Sequence, residues 1–68
     1  MIMPQINFSE NLRSLRTNAK LTQKQLADML GIDQRTVSAW EHKVCEPDFE
    51  MLAKLCEIFN EDFNGILT

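Results

Sequence analysis

The segment that decides the fold occupies residues 21–41 and reads LTQKQLADMLGIDQRTVSAWE. It divides at Gly31, since glycine adopts at little cost the left-handed conformation in which many helices end. Ahead of the glycine, Thr22 and Gln25 are the polar pair that caps the start of a helix. Beyond it, Asp33 is a strong N-cap for a second helix. The segment therefore predicts two short helices joined by a tight turn.

The apolar residues of the two helices predict how they pack. The inward positions carry small or apolar side chains: Leu26, Ala27, Leu30, Val37 and Trp40. Ala27 is small where two backbones must approach closely. A short helix, a turn headed by glycine and a second helix make up a helix-turn-helix, which we predict from residue 23 to about residue 42.

The outer face of the second helix carries the candidate reading residues. They are the positions left outside once the apolar ones are buried: Gln34, Arg35, Ser38 and Ala39. Glutamine can pair through two hydrogen bonds with adenine and arginine with guanine, whereas Ala39 offers methyl contact alone. The sequence therefore predicts a helix that reads base edges in the major groove of double-stranded DNA.

Three further helices complete the prediction, which is an all-α fold of five short helices in one domain over residues 1–68. An apolar stripe predicts the first helix from about residue 8 to 18, with Asn7 and Glu10 as its capping pair. Asp48 begins a fourth helix that reaches about residue 59. Asn60 ends that helix in the left-handed conformation, and Asp62 begins a short fifth segment.

The charge of the chain is unevenly distributed. The net charge is −3, but residues 1–43 hold six basic and four acidic side chains, whereas residues 44–68 hold one and six. Polyanion binding depends on the local field at the contact surface and not on the sum over the chain. The acidic half is therefore expected to face away from DNA.

Several classes of protein are excluded by the sequence. No apolar run is long enough to span a bilayer, and the start, MIMPQINF, has no basic leader. Cys45 and Cys56 lie eleven positions apart, which is no zinc-ligand spacing, so we expect reduced thiols in a cytoplasmic protein, with Cys56 buried. No nucleophile and base pattern, phosphate loop or metal cluster is present, so we expect no enzyme activity, no cofactor and no metal.

The chain resembles the phage-repressor and Cro-like helix-turn-helix family, also called the xenobiotic-response-element family. The likeness spans residues 8–67 and includes the leading Leu-Thr-Gln, the frame of Ala27, Gly31, Val37 and Trp40, then Glu41 and the loop Pro47. It implies a lambda-repressor-like fold. It also implies a partly buried pair, Arg16 with Glu41, that ties the first helix to the end of the third.

The resemblance implies further roles at the DNA backbone and at the bases. Gln23 would bind a phosphate at the head of the second helix, while Gln34 and Arg35 would read bases. Neighbouring polar residues extend the expected phosphate contacts to Thr22, Gln23, Lys24, Thr36, His42 and Lys43. The sequence departs from the family after the recognition helix, where Lys43-Val44-Cys45-Glu46 replaces a glycine and basic residues. Lys43 would then take the left-handed angle, and we expect weaker or more selective binding.

The expected function is that of a sequence-specific transcriptional regulator, a repressor, that binds operator DNA as a homodimer. Apolar residues of the last segment are the expected dimer interface: Phe63, Ile66 and Leu67. The alternative is a protein-interaction module, such as an antitoxin or an anti-repressor subunit, bound to a protein partner whose identity the sequence does not give. The uncharged Val44-Cys45 loop and the acidic second half favour that alternative.

Overall fold

The computed structural model describes residues 7–68, which form five α-helices and, within that range, no strand. The helices are α1 Phe8–Asn18, α2 Gln23–Leu30, α3 Gln34–Glu41, α4 Phe49–Phe59 and α5 Phe63–Leu67. These bounds confirm the all-α prediction and the placement of the helix-turn-helix. The expectation of a chain start without a leader concerns mainly residues 1–6, which lie outside the described residues.

Side-chain caps begin α2, α3, α4 and α5, as predicted. In the capping box of α2, Thr22 Oγ1 accepts from the Gln25 backbone N–H at 3.0 Å and Gln25 Oε1 accepts from the Thr22 N–H at 2.8 Å. The prediction of an Asn7 cap for α1 is wrong, because the Asn7 side chain makes no capping bond. Instead, the Asn7 backbone N–H donates to the Leu67 carbonyl at 2.8 Å, so packing against α5 fixes the start of α1.

Four helices end through a residue with a positive φ: Lys20, Gly31, Lys43 and Asn60, with φ of 60°, 71°, 62° and 51°. In each case the next residue sends its N–H back to a carbonyl five residues earlier, as Val44 does to Ala39 at 2.9 Å. This bond satisfies a carbonyl that the helix end would otherwise leave unpaired. The left-handed angle predicted for Lys43 is confirmed.

One apolar core joins the helices. Its most buried members are Phe8, Leu12, Leu26, Ala27, Leu30, Val37, Trp40, Leu52, Leu55 and Ile66. Helix α2 packs on α3, α1 packs on both α3 and α5, and α4 packs on α5. The Ser9 hydroxyl donates to the Trp40 carbonyl at 2.5 Å, so α1 is also tied to α3 by a buried hydrogen bond.

Two residues of the last helices differ from their predicted places. Ile66 was expected in a dimer interface, but it is fully buried among the core residues of the same chain. Its side chain has no exposed surface and cannot supply contact area to a second copy. Cys56 was expected to be buried and is half-buried.

Candidate nucleic-acid interface

The recognition face of α3 is set by what the helix buries on its other side. Val37 and Trp40 are 0% and 3% exposed, and they hold the helix against α2 and α1. Gln34 and Arg35 are exposed in the first turn, whereas Ser38 and Ala39 are half-buried further along. The Asp33 carboxylate accepts the Arg35 backbone N–H at 2.7 Å and so fixes the start of the helix. The four predicted reading residues thus share one helix, and the first two are the most accessible.

The start of α2 holds the first group of predicted phosphate contacts. Thr22 and Lys24 are exposed, and Gln23 is half-buried between them. Lys24 Nζ lies 3.5 Å from Asp28 Oδ2 in an exposed pair, which is a weak interaction in water. Lys24 can therefore leave Asp28 for a phosphate at little cost.

The second predicted group lies along α3 and at its end. Thr36 is half-buried, while His42 and Lys43 are exposed. His42 Nδ1 lies 2.7 Å from the Ser38 carbonyl, an acceptor, so this nitrogen carries the proton. Lys43 Nζ lies 3.7 Å from Glu10 Oε1, in an exposed pair that DNA would have to replace.

A buried carboxylate connects these two groups. The Glu41 side chain is 1% exposed and accepts from Arg16 Nε at 2.6 Å and Arg16 Nη2 at 3.1 Å. Arg16 also donates to the Leu21 carbonyl at 2.8 Å. The ion pair between α1 and α3 that the family resemblance implied is therefore present, with two hydrogen bonds between its members.

Burial and pairing shift the pKa of both partners. Burial raises the pKa of the Glu41 carboxyl, but hydrogen bonds from Arg16 and Gln23 and the charges of Arg16 and Arg13 outweigh it, so the pKa lies below its ordinary value. The hydrogen bond to Glu41 raises the pKa of Arg16 against the opposing effect of burial. Both groups are therefore charged in the folded protein at neutral pH.

The network also reaches residues whose partnership the sequence did not indicate. Gln23 Nε2 donates to Glu41 Oε1 at 3.1 Å, so the predicted phosphate ligand is oriented by the buried carboxylate. Arg13 Nη2 donates to the Glu41 backbone carbonyl at 3.2 Å, and its Nε lies 3.6 Å from the same Oε1. Arg13 was missed because it lies on the exposed side of α1, where a charged residue is ordinary. Only its closeness to Glu41, at a separation of 28 residues, singles it out.

The comparison with known proteins agrees with this geometry. The family model described as helix-turn-helix matches residues 12–66, most of the chain. The chain belongs to the helix-turn-helix family. The match contains the whole of α2 and α3, the Arg16–Glu41 pair and all six predicted phosphate contacts.

Individual helix-turn-helix relatives have regulatory names. One is the uncharacterized HTH-type transcriptional regulator YqaE of Bacillus subtilis (strain 168), 38% identical over 88% of this chain and 52% of its own. Another is the HTH-type transcriptional activator BcrR of Enterococcus faecalis, 33% identical over 93% of this chain and 31% of its own. The crystal structure of a transcriptional regulator from Listeria innocua superposes with a TM-score of 0.89, at 30% identity, over 94% of this chain and 60% of that one.

The chain spans about half the length of YqaE and about a third of BcrR, so these relatives have segments beyond the matched domain. The same fold recurs within Fe(II) HppE, whose crystal structure contains substrate; there the TM-score is 0.82 at 24% identity, over 97% of this chain and 35% of that one. That likeness is one of fold alone. Among residues 7–68, no helix has both the length and the apolar character needed to cross a membrane.

Proposed function

We propose that this chain is the DNA-binding part of a transcriptional regulator and that α3 reads base edges in the major groove. The observation that carries the proposal is the exposed Gln34–Arg35 pair at the start of a helix whose opposite side is locked in the core. Because the helix is already rigid, the side chains can meet bases without a further loss of backbone entropy, and only their own rotamer freedom is lost. The regulatory names of the relatives support the same function.

The direction of regulation that we propose is repression. A protein that occupies a promoter blocks transcription by occupancy alone, and the described residues provide what occupancy requires. Activation requires, in addition, a productive contact with the transcription machinery. A reporter gene with the bound sequence placed in its promoter should lose expression when the protein is present. A rise in expression would refute repression while leaving DNA binding intact.

The test of DNA binding is a selection of bound sequences from a random duplex pool, followed by mobility-shift titration of the selected duplex. We expect a defined site and an affinity that falls as salt is raised. Retention of no duplex at low salt, together with a protein that co-purifies stably, would favour the protein-interaction module instead.

We also propose action by binding and not by catalysis, because the carboxyl group with a shifted pKa, that of Glu41, is buried in an ion pair where no substrate can reach it.

We propose that the regulator is a cytoplasmic homodimer. With Ile66 in the core, we propose for a second copy the apolar surface formed by Phe49 and Phe63, whose rings pack 4.9 Å apart, with Leu67 half-buried. Phe49 is 72% and Phe63 37% exposed. A two-fold interface here would place two α3 helices on one face of DNA, about 34 Å apart if they enter successive major grooves. The free thiols of Cys45 and Cys56 fit a reducing cytoplasm.

Sedimentation tests the dimer. Because residues 44–68 carry six acidic side chains and one basic side chain, two such faces repel, and salt should strengthen association as it weakens DNA binding. Phe49→Asp should give a monomer. Met29→Asp, which changes an exposed apolar residue of α2, is the matched control and should leave the dimer intact. Association unaffected by Phe49→Asp would exclude this interface.

A further inference from the structure

We propose that Arg13 and Gln23 together form a seat for one DNA phosphate, and that Glu41 holds both head groups in place. The inference rests on the proposed function and adds to it a residue, Arg13, that neither the sequence nor the family resemblance assigned to DNA. The ligand is a phosphodiester, an anion that accepts hydrogen bonds and donates none. The seat lies where α1, the start of α2 and the end of α3 meet.

The two head groups are neighbours because they share one oxygen atom. Gln23 Nε2 lies 3.1 Å and Arg13 Nε 3.6 Å from Glu41 Oε1. Arg13 is fixed at a second point, since its Nη2 donates to the Glu41 backbone carbonyl at 3.2 Å. Two donors placed around a single atom are close enough to reach different oxygens of one phosphate. The preformed arrangement reduces the entropy lost when the anion binds.

The charge of the cluster favours an anion. Arg16 by itself balances the charge of the Glu41 carboxylate and donates two hydrogen bonds to it, and its side chain is only 13% exposed. Arg13 therefore adds a positive charge that the buried pair does not need, and its side chain is 54% exposed. The three charged residues sum to one positive charge, and the accessible part of that charge belongs to Arg13.

Both residues retain donors after their contacts with Glu41. A guanidinium has five N–H groups, and Arg13 donates one of them to the Glu41 carbonyl. The Gln23 amide nitrogen carries a second hydrogen besides the one that it donates to Glu41. The buried Glu41 carboxylate is neutralised by Arg16, so it repels a phosphate little. A purely structural Arg13 would only cap the Glu41 carbonyl at the end of α3. The two roles differ in how the DNA affinity responds to salt.

The experiment measures DNA affinity against salt concentration for four folded proteins on the selected duplex. They are the wild type, Arg13→Gln, Arg13→Lys and Lys54→Gln, and circular dichroism identifies a temperature at which each one is folded. Arg13 is largely exposed, so the core should survive its replacement. Lys54→Gln removes the same charge from α4, in the acidic half, and is the matched control.

The slope of log affinity against log salt is negative. We expect Arg13→Gln to make it shallower by about 0.9 for each chain bound, which corresponds to the loss of one phosphate contact. Arg13→Lys should keep the wild-type slope, because it keeps the charge, and Lys54→Gln should keep it as well. An unchanged slope for Arg13→Gln, or an equal loss for Lys54→Gln, overturns the seat while the proposed function stands. Failure of the wild type to bind any duplex overturns both.

Discussion

The two halves of the chain differ in charge and in exposed apolar surface, although both are built of short helices. In the first 43 residues, basic side chains outnumber acidic ones by six to four, and the charged groups near the core are paired, as Arg16 is with Glu41. In residues 44–68, acidic side chains outnumber basic ones by six to one, and large apolar groups stand in solvent, with Phe49 72% exposed. The first half is suited to a polyanion and the second to an apolar partner surface.

The difference shows why the net charge of −3 is a poor guide to function. A phosphate backbone responds mainly to charges within about 10 Å at moderate salt, so the charge of the contacting surface matters more than the sum over the chain. The acidic half bears on the proposed dimer, because repulsion between two such halves opposes their association at low salt. The proposed DNA contacts and the proposed dimer contacts therefore lie in halves of opposite charge, and each set can be changed by itself.

The largest expected loss of stability follows from removal of the buried Glu41 carboxylate in the first half. Glu41→Ala should lower the free energy of unfolding by about 2–4 kcal/mol, since it leaves the Arg16 guanidinium without its partner in a site that is 13% exposed. Glu57→Ala removes an exposed carboxylate from α4 and should change it by less than about 0.5 kcal/mol. Denaturant titration of both variants measures the contrast. Equal losses of unfolding free energy in the two variants would contradict the difference between the two halves.

The acid response of stability should also come mainly from the first half. The folded-state pKa of Glu41 is below its ordinary value, so its share of stability is complete above the unfolded pKa of about 4.3 and is lost as pH falls through the folded pKa. Unfolding free energy measured from pH 7 downward should therefore decline at acid pH in the wild type. In Glu41→Gln that part of the decline should be missing. The same acid decline in the variant would assign it to other carboxylates.

The smallest effect compares the left-handed residues that end α3 and α4. Lys43→Gly should raise the free energy of unfolding by about 0.5–1 kcal/mol, because relief of left-handed strain is partly offset by the greater freedom of glycine in the unfolded chain. Asn60→Gly should raise it less, because asparagine tolerates this conformation better than lysine. Thermal unfolding of the two variants gives the comparison. A larger gain at Asn60 would contradict the strain assigned to Lys43.

Most of the fold was predictable because its signals are local. The capping box of Thr22 and Gln25 and the left-handed Gly31 each depend on neighbours within a few residues, and the structure has both as predicted. The Asn7 cap failed because a distant contact, with the Leu67 carbonyl, determines the backbone there. Ile66 was misplaced for a related reason: periodicity marks an apolar face but does not tell whether another part of the same chain covers it.

The candidate site was predictable to the extent that its residues lie on one helix. The family resemblance pointed to Arg16 and Glu41, and the period of α3 placed Gln34 and Arg35 outside. The contacts of Gln23 and Arg13 with Glu41 could not be predicted from the sequence, because they join residues 18 and 28 positions apart through a single oxygen atom. Such a junction is visible only when three helices are already packed.

The central claim is that α3 reads sequence, and base preference in the Arg35→Ala variant tests it most directly. The selection from a random duplex pool is repeated with the wild type, Arg35→Ala and Lys24→Ala, an exposed residue at the head of α2. We predict that Arg35→Ala loses preference at one base pair and costs about 1–3 kcal/mol on the preferred site. Lys24→Ala should weaken all sequences alike. An unchanged preference in Arg35→Ala, with altered preference in Lys24→Ala, would contradict the proposed docking of α3 in the major groove.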